Sequence, residues 1–140
     1  MRNIRIEYRK ISVEEYQCLR ETTDWFQLED HVVEKSLNND LFSICVFDGD
    51  RLVGMGRLVG DGAIYFYIQD IIVAPDYQNR GIGTIIMNEI ESYLEINTYN
   101  NSFIGLMAAD GVQGFYHKFG YKERDLNRPG MSKLVKKPSL

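Results

Sequence analysis

The sequence predicts a mixed α/β fold in which antiparallel hairpins come first and a crossover helix follows. Three observations predict it. The tight-turn tripeptides Asp48-Gly49-Asp50 and Gly60-Asp61-Gly62 separate three consecutive apolar runs. The third run, Ala63 to Val73, is aromatic and β-branched on both alternating sets and stops at Ala74-Pro75-Asp76. Beyond it Ile82, Ile85, Ile86, Ile90 and Leu94 recur at the three- and four-residue spacing of an amphipathic helix.

The remaining elements follow in order. Ile4, Ile6 and Tyr8 alternate with Arg5, Glu7 and Arg9, the period of a half-buried first strand. Ser12 with Glu15 three residues on is a capping box, so a helix runs from there to about Glu21, with Val13, Tyr16 and Leu19 on one face. Thr22-Thr23-Asp24 breaks it, and a second helix is expected from about Leu28 to Leu37. Leu41 to Phe47 and Arg51 to Val59 are the first two strands of the hairpin series. After the crossover helix, Phe103 to Met107 reads as a fifth strand and Gly111 to Phe119 as a short helix closed by Gly120. Tyr121 to Arg124 and Met131 to Val135, on either side of the turn Asn127-Arg128-Pro129-Gly130, read as two last strands.

The chain has 140 residues, 44% apolar and 26% charged, an ordinary globular balance with no repeat or linker, so residues 1–140 are expected to form a single domain. A formal net charge of -4 and scattered cations argue against nucleic acid as a partner, and the cluster Lys133, Lys136 and Lys137 reads as a solvated tail. Cys18 and Cys45 form no CxxC pair and read as small core residues. His31 and His117 stand far apart in sequence, and no metal site is expected. Arg2 and Arg5 interrupt any apolar leader, and no run approaches the length of a membrane span. The expectation is a soluble cytoplasmic protein.

The chemistry concentrates between Asp70 and Met87. A buried strand, a proline stop and then Gln78-Asn79-Arg80-Gly81-Ile82-Gly83-Thr84 open the long helix. Amides at such a helix start lack intrahelical partners and share the positive end of the dipole, which suits phosphate. Glycines 81 and 83 let a phosphate approach the backbone, although the same pair also serves a plain tight turn. A P-loop requires lysine after the last glycine, where Thr84 stands, and a dinucleotide fingerprint requires a third glycine, where Ile86 stands.

Gln78-Asn79-Arg80-Gly81-Ile82-Gly83 resembles the Q/R-x-x-G-x-G/A signature of the GCN5-related N-acetyltransferases (GNAT). The stretch Asp70-Ile71-Ile72-Val73-Ala74-Pro75-Asp76-Tyr77 is similar to that family's strand four and its exit. Phe115-Tyr116-His117-Lys118-Phe119-Gly120-Tyr121 is similar to its FYxKxGF segment, with Tyr121 for the final Phe. The resemblance covers nearly the whole chain. It implies a GNAT-like mixed sheet with an antiparallel N-terminal half and splayed central strands four and five, flanked by helices.

The function implied is transfer of the acetyl group of acetyl-CoA to a primary amine, by direct attack in a ternary complex. Acetyl-CoA is the co-substrate implied, with no metal. Amides from Gln78 through Asn79, Arg80, Gly81, Ile82, Gly83 and Thr84 would cradle the coenzyme A pyrophosphate. Backbone groups of Ile71, Ile72 and Val73 would pair with the pantetheine arm, and an amide near Val73 would polarise the thioester carbonyl. Tyr116 maps onto the general acid, a phenol that stays protonated at neutral pH. Asp70, in the central strand among apolar neighbours, is a candidate base with a raised pKa, or else a satisfied structural carboxylate. Covalent catalysis through Cys18 or Cys45 is not expected, since neither has a paired histidine in view.

For the acceptor, Trp25, Phe26 and Glu29 lie in the connection between the first helices that walls this side of the fold. Tyr65 and Tyr67 from strand four would complete an aromatic pocket for an amine cation, with core packing as the other reading of these rings. His31 reads as an exposed helix residue rather than a pocket one, and Asp125 to Met131 as a lip over the cleft. The acceptor class is a small-molecule amine or a peptide amine, and homodimers are frequent in the family. A non-catalytic coenzyme A-binding sensor and a plain nucleotide-phosphate binder are the alternatives.

Overall fold

The computed structural model describes residues 3–138. The chain divides into two compact units, with the boundary between Met107 and Ala108.

In the first unit, β1 (Ile4–Glu7) is followed by α1 (Val13–Arg20) and α2 (Asp30–Leu37). Ser12 and Glu15 form the expected capping box: the Glu15 amide donates to Ser12 Oγ at 3.1 Å and the Ser12 amide to Glu15 Oε1 at 3.0 Å. Arg9 grips the Glu15 carboxylate with two N–H groups at 2.9 and 2.8 Å and is the main reason its pKa falls to about 2. α1 buries Tyr16 and Leu19, one helical turn apart, while Cys18 lies off that stripe and is exposed, contrary to its expected place in the core. α2 starts two residues later than the sequence suggests. Gln17 Nε2 donates to the Leu28 carbonyl and to Asp30 Oδ1 at 2.7 and 3.1 Å, which ties the chain down just ahead of the helix.

β2 (Phe42–Asp48), β3 (Arg51–Gly60) and β4 (Tyr65–Val73) form the antiparallel series, and α3 (Ile82–Asn97) crosses over to β5 (Phe103–Gly105). The sheet order is β1-β2-β3-β4-β5, antiparallel throughout except for the parallel β4–β5 pair. A crossover helix is what a parallel pair requires. The result is a mixed sheet flanked by helices, with an antiparallel N-terminal half, as expected.

One face of the sheet packs under α1 and α2, where Ile11, Tyr16, Leu19, Val33 and Leu37 meet Cys45, Phe47, Met55 and Ile72. The other receives α3, which buries Ile82, Ile86, Met87, Ile90 and Leu94. Each such side chain contributes about 1.5–3 kcal/mol on leaving water. α3 comes close because β3 presents glycines to it. A Cβ on Gly54 would lie 2.8 Å from Ile82 Cγ2, and one on Gly56 would lie 2.6 Å from Ile86 Cγ2.

In the second unit the one helix or strand among the described residues is α4 (Gln113–His117), shorter than the Gly111 to Phe119 span expected. Gly120 ends the segment at φ 89, the left-handed value its glycine permits. Tyr121 to Arg124 and Met131 to Val135 are not strands. Among the described residues neither run has a ladder partner, and every residue except Tyr121 is exposed, so neither their β-branched nor their apolar positions gain a packed surface.

Candidate functional site

The site grows from two local features of β4. The first is its pairing with β5, which covers only Tyr65↔Phe103 to Tyr67↔Gly105, whereas β4 stays paired to β3 as far as Val73. Beyond Tyr67, no strand among the described residues pairs with the β5-facing edge of β4. Ile71, Ile72 and Val73 lie on this open stretch, able to receive an extended ligand along the backbone.

The second feature is a bulge. Met55 pairs with Ile72 and Arg57 with Gln69, so Asp70 and Ile71 together oppose the single residue Gly56. Asp70 takes φ 57, a left-handed value uncommon for a residue other than glycine. The side chain, thrown out of alternation, enters the α1–α2 face and is only 3% exposed. Its neighbours there are polar, not apolar as the sequence suggested. Oδ2 accepts from Arg57 Nη1 at 2.7 Å and from the Tyr16 hydroxyl at 2.9 Å, and Arg20 Nη1 stands 3.7 Å from Oδ1. Burial, with Asp70 beside it, pushes the Tyr16 phenol up to about 12. Arg57 also donates to Asp40 Oδ1 and Ser36 Oγ, at 2.9 Å from both Nε and Nη2.

After β4 the chain turns through Pro75–Tyr77, one turn of 3₁₀ helix, into Gln78-Asn79-Arg80-Gly81. The turn is braced from several sides. Arg51 holds Asp76 with two N–H groups at 2.7 and 2.8 Å, and the Tyr77 hydroxyl donates to Asp48 Oδ2 at 2.6 Å. The guanidinium groups of Arg51 and Arg80 lie 5.0 and 5.3 Å from the Tyr77 ring centroid. Asn79 and Gly81 are both left-handed, at φ 63 and 87.

Gly81 is the N-cap of the 16-residue α3, which has no side-chain cap and no acidic residue in its first turn. The first amide to close onto the helix is Ile85, at 3.1 Å from the Gly81 carbonyl, so the amides of Ile82, Gly83 and Thr84 precede the intrahelical ladder. α1, by contrast, is capped and carries Glu14 and Glu15. An uncapped terminus beside a glycine whose Cβ direction is open space fits a phosphate-bearing ligand.

The expected acceptor residues divide. Arg20 organises the α1–α2 connection: its Nε donates to the Phe26 carbonyl at 3.1 Å and its guanidinium lies 5.3 Å from the Trp25 ring centroid. The Phe26 ring is 59% exposed, and Glu29, ahead of α2, faces His31 Nδ1 at 3.2 Å. His31 is exposed, as expected. On β4, Tyr65 is 61% exposed and Tyr67 half-buried. Tyr116 lies in the second unit, in α4, with its ring edge-to-face on Phe115 at 5.1 Å and its phenol pushed up by burial. Sequence reasoning missed Tyr16, Arg20 and Arg57. Arg57 was open to detection, being a cation inside an otherwise apolar strand run.

The family model of the acetyltransferase (GNAT) domain matches residues 9–130. The chain belongs to this family.

The GNAT assignment is reinforced by solved structures. A Staphylococcus aureus protein described as a probable acetyltransferase is 32% identical, with a TM-score of 0.88 over 94% of this chain and 99% of that one. A GNAT family acetyltransferase of Streptococcus pneumoniae is 28% identical, with a TM-score of 0.79 over 96% and 99%. Among curated relatives, an uncharacterized ycf52-like N-acetyltransferase of Prochlorococcus marinus is 29% identical over 82% of this chain and 65% of its own length. This chain thus spans somewhat less than two thirds of that relative. Among the described residues of this GNAT chain, no helix is long and apolar enough to cross a membrane, and no group of three or more His, Cys, Asp or Glu is placed to hold a metal ion.

Proposed function

We propose that this GNAT protein transfers the acetyl group of acetyl-CoA to a primary amine by direct attack within a ternary complex. The observation that carries the reading is the uncapped, non-acidic N-terminus of α3 with left-handed Gly81, reached directly from an open strand edge at Ile71–Val73. One stretch of chain thereby offers amides for a pyrophosphate and a backbone edge for an amide-bearing arm.

Acetyl-CoA supplies an activated thioester. Gln78, Asn79, Arg80, Gly81, Ile82, Gly83 and Thr84 hold its phosphates through their amides, and Ile71, Ile72 and Val73 align the arm. An amide near Val73 donates to the thioester carbonyl oxygen as the acceptor nitrogen bonds to the carbonyl carbon, a contact worth about 3–4 kcal/mol in comparable sites. When the carbon–sulfur bond breaks, Tyr116 gives its phenolic proton to the departing sulfur, and burial keeps that phenol protonated at neutral pH. The proton lost by the acceptor nitrogen leaves through solvent. Of the two roles weighed for Asp70, its contacts with Arg57 and Tyr16 favour the structural one.

The acceptor approaches from the α1–α2 connection, where Trp25, Phe26 and Glu29 stand, with Tyr65 and Tyr67 on β4 as further contacts. The match at residues 9–130 runs across the boundary at Met107, and residues 1–140 are read as a single acetyltransferase domain. The test is thiol release from acetyl-CoA over a panel of small and peptide amines, with Tyr116→Phe in parallel. Amine-dependent release that falls in the variant supports catalysis. Binding of acetyl-CoA with no release for any amine, identical in the two proteins, supports the sensor reading instead.

A further inference from the structure

We infer that Asp70 is a positioning residue: its carboxylate, locked by Arg57 and Tyr16, holds the bulge of β4 and so aims the open strand edge Ile71–Val73.

Three independent features converge on it. The register shows two residues of β4 opposite one of β3, and Asp70 is the first of the two, at φ 57. Such a value is uncommon outside glycine, even though Asp tolerates it better than most residues, and in a buried strand it persists because the surroundings fix it. Those surroundings are visible. Arg57 comes from β3, one residue beyond the bulge partner Gly56, and Tyr16 comes from α1, so the carboxylate ties the bulge to the neighbouring strand and to the helix above. Arg57 is itself only 4% exposed and fixed at its other end by Asp40 and Ser36. On the opposite face Gly56 leaves room for Ile71, since a Cβ there would lie 2.8 Å from Ile71 Cδ1. The side chain of Asp70 is thus drawn to one face and that of Ile71 to the other at adjoining positions, and the amides that follow take their direction from this step. Asp70 Oδ1 is buried and accepts no hydrogen bond among the described residues, so one oxygen makes both contacts while Arg20 stands at 3.7 Å.

The consequence for catalysis depends on the acetyl-CoA reading above, because the edge matters to turnover only if it carries the arm of that substrate. The experiment compares wild type with Asp70→Asn and Tyr16→Phe. It reads amide hydrogen exchange at Ile71–Val73 without ligand, and KM for acetyl-CoA together with the pH profile of kcat. In both variants, exchange at Ile71–Val73 quickens at least fivefold more than at the β2–β3 ladder. KM rises at least fivefold and the kcat profile keeps its wild-type limbs. A lower melting temperature with wild-type exchange at Ile71–Val73 and wild-type KM overturns the proposal. So does loss of a limb of the kcat profile with KM unchanged, which makes Asp70 a proton carrier. Should Asp70→Asn not fold, Tyr16→Phe, which loses one hydroxyl, carries the same test. A wild-type protein that binds no acetyl-CoA overturns the functional reading alone, and the exchange measurement still decides the role of Asp70.

Discussion

Tyr116 is where a single atom separates the catalytic reading from the sensor one. Tyr116→Phe removes the transferable proton and keeps the ring against Phe115. Acetyl-CoA binding should stay within about twofold while acetylation slows at least tenfold, a floor set below the roughly 10²–10⁴-fold that a positioned acid contributes; equal turnover in the two proteins removes Tyr116 from the mechanism. Gly81 tests the other end of the site. Gly81→Ala meets no neighbouring atom, so the cost is conformational, about 1–2 kcal/mol for a Cβ at left-handed φ. Calorimetry should show weaker acetyl-CoA binding as well as lower stability. Glu15 gives a pH signature. Its folded pKa of about 2 lies below the ordinary 4.5, so its contribution is present above 4.5 and lost as pH falls toward 2. Urea titrations across that window should show declining stability, with a shallower decline in Arg9→Gln.

At this scale, the sequence singled out Gly81 and Tyr116 as candidates because each lies inside a short motif. The partners of Asp70 were not. Tyr16 and Arg57 stand far from it along the chain, and only the fold brings them within hydrogen-bond reach. The polarity around Asp70 was hidden for the same reason, since along the chain it stands among Ile68, Ile71 and Ile72 with Gln69, and in space it meets Arg57, Arg20 and Tyr16.

Among the elements, the contact of α3 with β3 is the most constrained. A Cβ at Gly56 would crowd Ile86 at 2.6 Å and Ile71 at 2.8 Å. Gly56→Ala should therefore destabilise by about 1–3 kcal/mol, as overpacking does, and Ile86→Ala in the same chain should recover part of the loss. Simple additivity of the two substitutions would contradict this packing. The strands β1 to β4 were legible from alternation and from the glycine turns, and α3 from its isoleucine spacing. The bulge in β4 was not, because a shift of one residue leaves a run that is apolar on both faces looking the same. Tyr121 to Arg124 and Met131 to Val135 were misread because strand-like composition says nothing of a partner, and without a ladder such a run has no reason to extend.

For the whole molecule, the order of elements predicted a mixed sheet with antiparallel hairpins first and a crossover later, and the pairing of β1 to β5 agrees. The family match places that sheet among those of the acetyltransferase (GNAT) family. The division of the chain at Met107 was not legible, since no change of composition marks it.

On the proposed function, the turn into α3 and the edge of β4 are built for acetyl-CoA. Thermal unfolding with and without acetyl-CoA, with ATP as the control, tests it most directly. A ligand at about 100 times its dissociation constant adds about 2.7 kcal/mol, and for a domain of this size each kcal/mol raises the midpoint by about 2–8 °C. The midpoint should shift clearly upward with acetyl-CoA and little with ATP. An unchanged midpoint at saturating acetyl-CoA would contradict it and leave Gly81 and Gly83 as residues of a tight turn.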